Sequence, residues 1–171
     1  MIFISGVHGV GKSYFCNIVK ERLDMDSYPA SKLIAEKRKA GFDKNKLIPN
    51  IDENQQYLLG AVDELRQNSS NFILNGHFCL LNASGKVTRI SLETFTTLHP
   101  DAIVLLTEKP EIICRRRKER DNIDISVESV KEFQDEEKKY AEEISLLIGA
   151  KLYVSSGAAD LDNTIEFLKS L

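Results

Sequence analysis

The chain has 171 residues, which suits a single domain, because one hydrophobic core usually closes at roughly 100 to 200 residues. Its hydrophobic fraction of 42% and charged fraction of 29% are those of an ordinary globular protein and exclude a disordered chain. A net charge of -3 argues against a general nucleic-acid or anionic-membrane surface, so any anion site must be local.

Short apolar runs alternate with longer segments of helical period, the pattern of a parallel sheet covered by crossover helices. Residues 1–5 form the first expected strand. Phe15, Ile18, Val19 and Leu23 then recur at helical spacing and predict a helix from Lys12 to Leu23. A short strand is expected over Asp26 to Ala30, a helix over Ser31 to Ala40, and a loop between Gly41 and Pro49. Glu53 to Gln67 reads as another helix, and Phe72-Ile73-Leu74 as a buried strand ending at Asn75-Gly76. The turn cluster Asn82-Ala83-Ser84-Gly85-Lys86 predicts a small hairpin within Leu80 to Ile90. Ala102 to Leu106 is an uninterrupted apolar strand, and Pro110 opens a helix through the arginines that follow. Ser126 to Ile148 is the longest helical pattern, with Val130, Phe133, Glu137, Ala141, Ile144 and Ile148 on one stripe. A strand at Lys151 to Val154 and a helix from Leu161 to Leu171 close the chain.

Residues 1–5 are too short for a signal peptide, and no run approaches the roughly 20 apolar residues that span a bilayer. Cys16, Cys79 and Cys114 have no CxxC partner and no metal-like spacing, and read as reduced core residues. These features lead to the expectation of a cytoplasmic protein without a membrane partner.

The segment Gly6-Val7-His8-Gly9-Val10-Gly11-Lys12-Ser13 fits the Walker A spacing, and it lies between an expected strand and an expected helix, where the motif works. Glycines let successive backbone N–H groups converge on phosphate oxygens, and the helix N-terminus adds partial positive charge. Gly6, Gly9, Val10, Gly11, Lys12, Ser13 and Tyr14 are therefore the expected nucleotide-binding residues. Lys12 would reach the β- and γ-phosphates of ATP, and the Ser13 hydroxyl would bind Mg²⁺. His8 occupies a variable position of the pattern.

Arg115-Arg116-Arg117-Lys118-Glu119-Arg120 sets five cations in six positions of an acidic chain. On a helix Arg116 and Arg120 share a face and can address one phosphate, whereas Arg115 and Arg117 point elsewhere. Arginine suits such work because its fixed charge and planar fork stabilise a transferring phosphoryl group.

The glycine loop, the segment Asn75-Gly76-His77-Phe78, the approach Leu98-His99-Pro100-Asp101 and the helix Pro110 to Arg120 together resemble the archaeal-type adenylate kinases and related nucleoside monophosphate kinases. The resemblance runs in order over nearly the whole chain. It implies a three-layer α/β P-loop fold with a parallel five-stranded sheet in one domain over residues 1–171. It further implies a monophosphate-binding segment near 31–68 and a mobile lid near 115–126. Arg116 and Arg120 look like lid arginines, and Arg38, Gln55 and His77 look like acceptor-binding residues. The family usually carries Asp where this chain has Asn75, a position that holds a Mg²⁺-bound water, and further arginines where this chain reads Asn122-Ile123-Asp124-Ile125-Ser126.

Two functions are expected from these features. The first is transfer of the ATP γ-phosphoryl group to a nucleoside monophosphate, AMP first, with Lys12, Arg116 and Arg120 catalytic and ATP and Mg²⁺ as cofactors. The alternative is a nucleotide-dependent regulatory or assembly ATPase holding a protein or RNA partner. The same fold also serves kinases of other small acceptors.

Overall fold

Ile2–Ser5 (β1) is buried at all four residues and lies at the centre of a parallel sheet. The structure is a computed structural model and describes residues 1–38, 47–48, 50–69 and 71–171. After β1 come α1 (Lys12–Leu23), β2 (Ser27–Pro29), α2 (Ala30–Arg38), β3 (Leu47–Ile48), α3 (Ile51–Asn68) and β4 (Ile73–Asn75). Then follow β5 (Cys79–Asn82), β6 (Val87–Arg89), α4 (Leu92–Leu98), β7 (Ala102–Thr107), α5 (Pro110–Asp121), α6 (Val127–Ile148), β8 (Lys151–Ser156) and α7 (Leu161–Lys169).

The main sheet has the order β2-β4-β1-β7-β8, all parallel, with Ile4 level with Asn75 on one side and with Val104 on the other. The chain runs from β1 to the edge strand β2, returns to β4 between them, then crosses to β7 and β8. The carboxyl ends of β4, β1 and β7 therefore converge at the switch point, where open parallel sheets bind their ligands. Central strands buried on both faces need continuous apolar runs, which explains Ile-Phe-Ile and Ala-Ile-Val-Leu-Leu. Helices α1 and α7 touch each other, while α3, α4, α6 and α5 form a second connected layer.

A smaller sheet, β3-β5-β6, is the expected hairpin with one strand added. Its turn is held by Asn82 Oδ1, which accepts from Ser84 N at 3.0 Å and Lys86 N at 3.0 Å. Phe3, Phe78 and Phe95 pack edge or tilted at 4.7 to 5.6 Å beneath it, a cluster in which each buried ring contributes about 1.5–3 kcal/mol.

Several boundaries differ from the sequence reading. Helix α3 starts two residues before Glu53 because Asn50 caps it, accepting from Glu53 N at 3.1 Å and donating to Glu53 Oε2 at 2.8 Å. Leu47–Ile48 is a strand inside the stretch read as a loop, while Lys39, Ala40, Gly41 and Pro49 lie outside the described residues. Helix α4 was not expected. Its seven residues contain three Thr and a Phe, types that favour strands, and it forms because Ser91 caps it and Phe95 and Leu98 anchor it in the core.

Candidate functional site: a P-loop cavity

The loop after β1 turns back on itself through glycines. Gly6 has φ +142, and a Cβ there would stand 2.5 Å from the Leu106 carbonyl oxygen, so only glycine fits against β7. Gly11, with φ +115, is the N-cap of α1 and offers no capping side chain; the first turn of that helix also carries no acidic residue. Its N–H groups are left for a ligand, the arrangement that binds phosphate. The Lys12 ammonium lies folded onto the loop, donating to the Gly6 carbonyl and to Val7 O at 3.2 Å.

The loop faces a cavity of about 1180 Å³, room for two small ligands. Gly9, Val10, Gly11, Lys12, Ser13 and Tyr14 line its middle. Gly6 contributes its carbonyl to Lys12 rather than a wall of the cavity.

One end is lined by Arg116, Glu119, Arg120 and Asp121 of α5, by Glu108, and by Gly157, Ala158 and Leu161 after β8. Arg116 Nη1 donates to Val10 O at 2.9 Å and its Nη2 to Glu108 Oε2 at 3.3 Å, so this guanidinium already touches the phosphate loop. Arg120 grips Asp121 with two bonds, at 2.8 and 2.7 Å, and holds that carboxyl down at about 2. The arginines expected in a lid belong to the continuous helix α5; residues 122–126 connect it to α6. Arg115 is exposed, as its spacing suggests, but Arg117 is buried. It turns under the loop, where its Nε stands 2.7 Å from Asp121 Oδ2 in an ion pair without hydrogen-bond alignment.

The other end is lined by Ala30, Ser31, Lys32, Asn54, Gln55 and Leu58 of α2 and α3, by Asn75 at the end of β4 with Gly76 and His77 after it, and by the rings of Phe3 and Phe95. Gln55 is buried, and its amide is oriented by Nε2 donating to Ile51 O at 3.3 Å, which leaves Oε1 without a partner among the described residues. Asn54 is oriented by Arg38, whose Nη1 donates to Asn54 Oδ1 at 2.9 Å, and its buried Nδ2 is likewise unsatisfied. Arg38 thus acts on the cavity through Asn54 and is not one of its lining residues. The His77 ring packs tilted against His8 with centroids 4.2 Å apart, bringing the loop's variable position against the segment after β4.

Beneath the loop, Glu137 of α6 ties the two walls together. It accepts from Ser5 Oγ, from Phe78 N at 2.9 Å and from Cys79 N at 2.6 Å. Burial pushes its carboxyl above the ordinary carboxylate range, while these donors and the Lys12 charge pull it back. Burial also raises the Cys16 thiol to about 11 and that of Cys79 further still, which makes both inert core residues.

Asn54, Glu108, Arg117 and Glu137 escaped the sequence reading as site residues. For Glu137 a signal was present, since a carboxylate stood on an otherwise apolar stripe. For the other three, sequence offered no sign of what they would face.

A family model described as an AAA domain matches residues 5–134, most of the chain. The chain belongs to this AAA domain family. No curated protein matches this chain. Among solved structures, a shikimate kinase from Acinetobacter baumannii, in complex with shikimate, is 16% identical, with a TM-score of 0.58 over 99% of this chain and 90% of that one. A shikimate kinase from Aquifex aeolicus is 14% identical, with a TM-score of 0.57 over 99% and 94%. A gluconokinase from Sinorhizobium meliloti is 17% identical, with a TM-score of 0.53 over 99% and 95%. The AAA domain thus shares the five-stranded α/β P-loop fold of these kinases. Among its described residues, no helix is long and apolar enough to cross a membrane.

Ser13 and Asn75 both line the cavity and offer a hydroxyl and an amide oxygen. Such hard donors suit Mg²⁺, which takes few protein ligands and completes its shell with phosphate and water. The residues present therefore fit a magnesium-nucleotide complex.

Proposed function

We propose that this protein transfers the terminal phosphoryl group of ATP to a nucleoside monophosphate, with AMP the first candidate. The observation that carries the reading is the two-ended cavity: the phosphate loop is in the middle, arginines are at one end, and an apolar wall with two unsatisfied amide atoms is at the other. A buried polar atom without a partner costs about 1–3 kcal/mol, so Asn54 Nδ2 and Gln55 Oε1 favour a ligand that supplies one acceptor and one donor. A flat heteroaromatic base satisfies both and covers Leu58, Phe95 and Phe3.

In this reading Lys12 leaves its own carbonyls for the β- and γ-phosphates, and the N–H groups from Gly9 to Ser13 hold the phosphate oxygens. Arg116 and Arg120 meet charge that develops on the transferring group. Ser13 and Asn75 would hold magnesium, which would neutralise phosphate charge. The acceptor's phosphate oxygen is itself the nucleophile, so catalysis consists of positioning and charge stabilisation.

Shikimate and gluconate, the acceptors suggested by the names of the structural relatives, are hydroxylated acids. They would leave the apolar wall uncovered, and besides Lys12, Arg116 and Arg120 the described lining offers them Lys32 as a cation. A regulatory or assembly ATPase is the second reading, favoured by the neutral Asn75 where a carboxylate would strengthen metal binding. A panel of AMP, CMP, GMP, UMP, shikimate and gluconate with Mg-ATP separates the three. Conversion of the added monophosphate to its diphosphate, beyond the ADP that ATP itself leaves, supports the proposal; phosphorylated shikimate or gluconate replaces the acceptor, and acceptor-independent phosphate release supports the ATPase.

A further inference from the structure

A carboxylate is an unexpected wall for a cavity built to hold polyphosphate, because it repels the ligand. Glu108 is such a wall: it follows β7 directly, lines the cavity, and its side chain is only 12% exposed. Its setting is rigid. The Gln134 amide of α6 brackets its backbone, accepting from Glu108 N at 3.1 Å and donating to Glu108 O at 2.8 Å. Lys109 N donates to Oε1 at 2.9 Å, and Gly157 crowds both oxygens so closely that a Cβ there would stand 3.1 Å from Oε2. What remains for Oε2 is Arg116, whose Nη2 is 3.3 Å away while Nη1 bonds Val10 O at 2.9 Å.

The geometry points to Glu108 as the positioning residue for Arg116. Two acceptors fix the two ends of one guanidinium, the Glu108 carboxylate on the β7 side and the Val10 carbonyl in the phosphate loop. The planar fork is then preset over Val10–Gly11 before nucleotide arrives, and Glu108 itself never touches the phosphates. Position is bought at the expense of net charge, since the carboxylate weakens the pull of Arg116 on the bound nucleotide. The inference rests on the phosphoryl-transfer role proposed above for Arg116.

The test is a double-mutant cycle on full-length protein with Mg-ATP and its acceptor. Glu108→Gln keeps the shape and one acceptor oxygen but removes the charge. It should lower kcat between about 10-fold and 10²-fold, the scale for a catalytic group displaced by about 1 Å, with KM for ATP unchanged or lower. On an Arg116→Ala background the same change should have no further effect. Glu108→Asp, which keeps the charge on a shorter stem, should retain more turnover than Glu108→Gln. A purely structural role would instead lower the unfolding temperature and kcat in both backgrounds, and additive losses of that kind overturn the inference. An equal loss in Glu108→Asp and Glu108→Gln overturns it too. Wild-type turnover by Arg116→Ala alone removes the role of Arg116, and this inference with it; a clear Arg116→Ala defect with an additive Glu108→Gln overturns this inference alone.

Discussion

Arg117 lies directly under Gly9. A methyl group at Gly9 would meet Arg117 Cγ and Cδ at 3.0 Å and Ile113 Cγ2 at 3.3 Å, at a backbone φ of +90. The buried arginine stem is thus the floor of the phosphate loop, not part of the cationic face. Gly9→Ala should cost about 1–3 kcal/mol in stability through backbone strain, and more than it costs in an Arg117→Ala background where the floor is open. Urea unfolding of the four proteins measures both quantities; equal costs in the two backgrounds would remove the contact from the account.

Lys12→Ala should abolish phosphoryl transfer and weaken ATP binding while the fold survives, because Lys12 contributes its charge to the ligand and only hydrogen bonds to the loop. Circular dichroism and turnover on one preparation decide it. Wild-type turnover by pure Lys12→Ala would refute the assignment of the cradle.

Arg116→Ala and Arg120→Ala should each lower kcat more than they weaken ATP binding, by at most the factor of about 10³ to 10⁵ seen for arginine fingers. Arg120 starts paired with Asp121 and must exchange that partner for phosphate, whereas Arg116 already touches the loop. The larger loss is therefore expected at Arg116. Full turnover in both variants would make the cluster a solvated helix face.

The glycine loop was legible because its chemistry needs particular residue types at fixed spacing, and the parallel strands because burial on both faces demands apolar runs. The runs of β4 and β7 read as strands by the same logic, whereas their places on either side of β1 come from the fold. Helical spacing sets Arg117 about 100° round the helix from Arg116, but it does not say which face lies under the loop. Nothing in the sequence around Glu108 distinguishes an acid after a strand from any exposed acid. Asn54 is invisible for a similar reason: its importance comes from the Arg38 bond that orients its amide. Helix α4 was missed because tertiary anchoring by Phe95 and Leu98 overrides weak local propensity.

Glu137 gives a pH signature. Its carboxyl is raised above the ordinary 4.5 by burial, so the folded protein binds this proton more tightly than the unfolded chain. Its contribution to stability is then fully present below the unfolded value and is lost as pH rises through the folded one. The stability of wild type relative to Glu137→Gln should therefore fall as pH rises above the ordinary 4.5. Denaturant titrations at several pH values test this; a difference that grows with pH would show that the hydrogen bonds and Lys12 outweigh burial.

Asn75 lines the same cavity as Ser13, with a neutral amide. Asn75→Asp should lower the magnesium concentration for half-maximal activity, because a full charge near the metal attracts it, and should leave metal-free nucleotide binding unchanged or weaker. Superimposable magnesium titrations of the two proteins would remove Asn75 from the metal site.

The central claim, that the two ends of the cavity hold donor and acceptor for direct phosphoryl transfer, is tested most directly by product stoichiometry with ATP and AMP. The protein is incubated with Mg-ATP and AMP, and ADP, AMP and inorganic phosphate are counted together. Direct transfer predicts two ADP formed for each ATP consumed, loss of one AMP, and no phosphate. One ADP and one phosphate per ATP, with AMP untouched, would contradict the account.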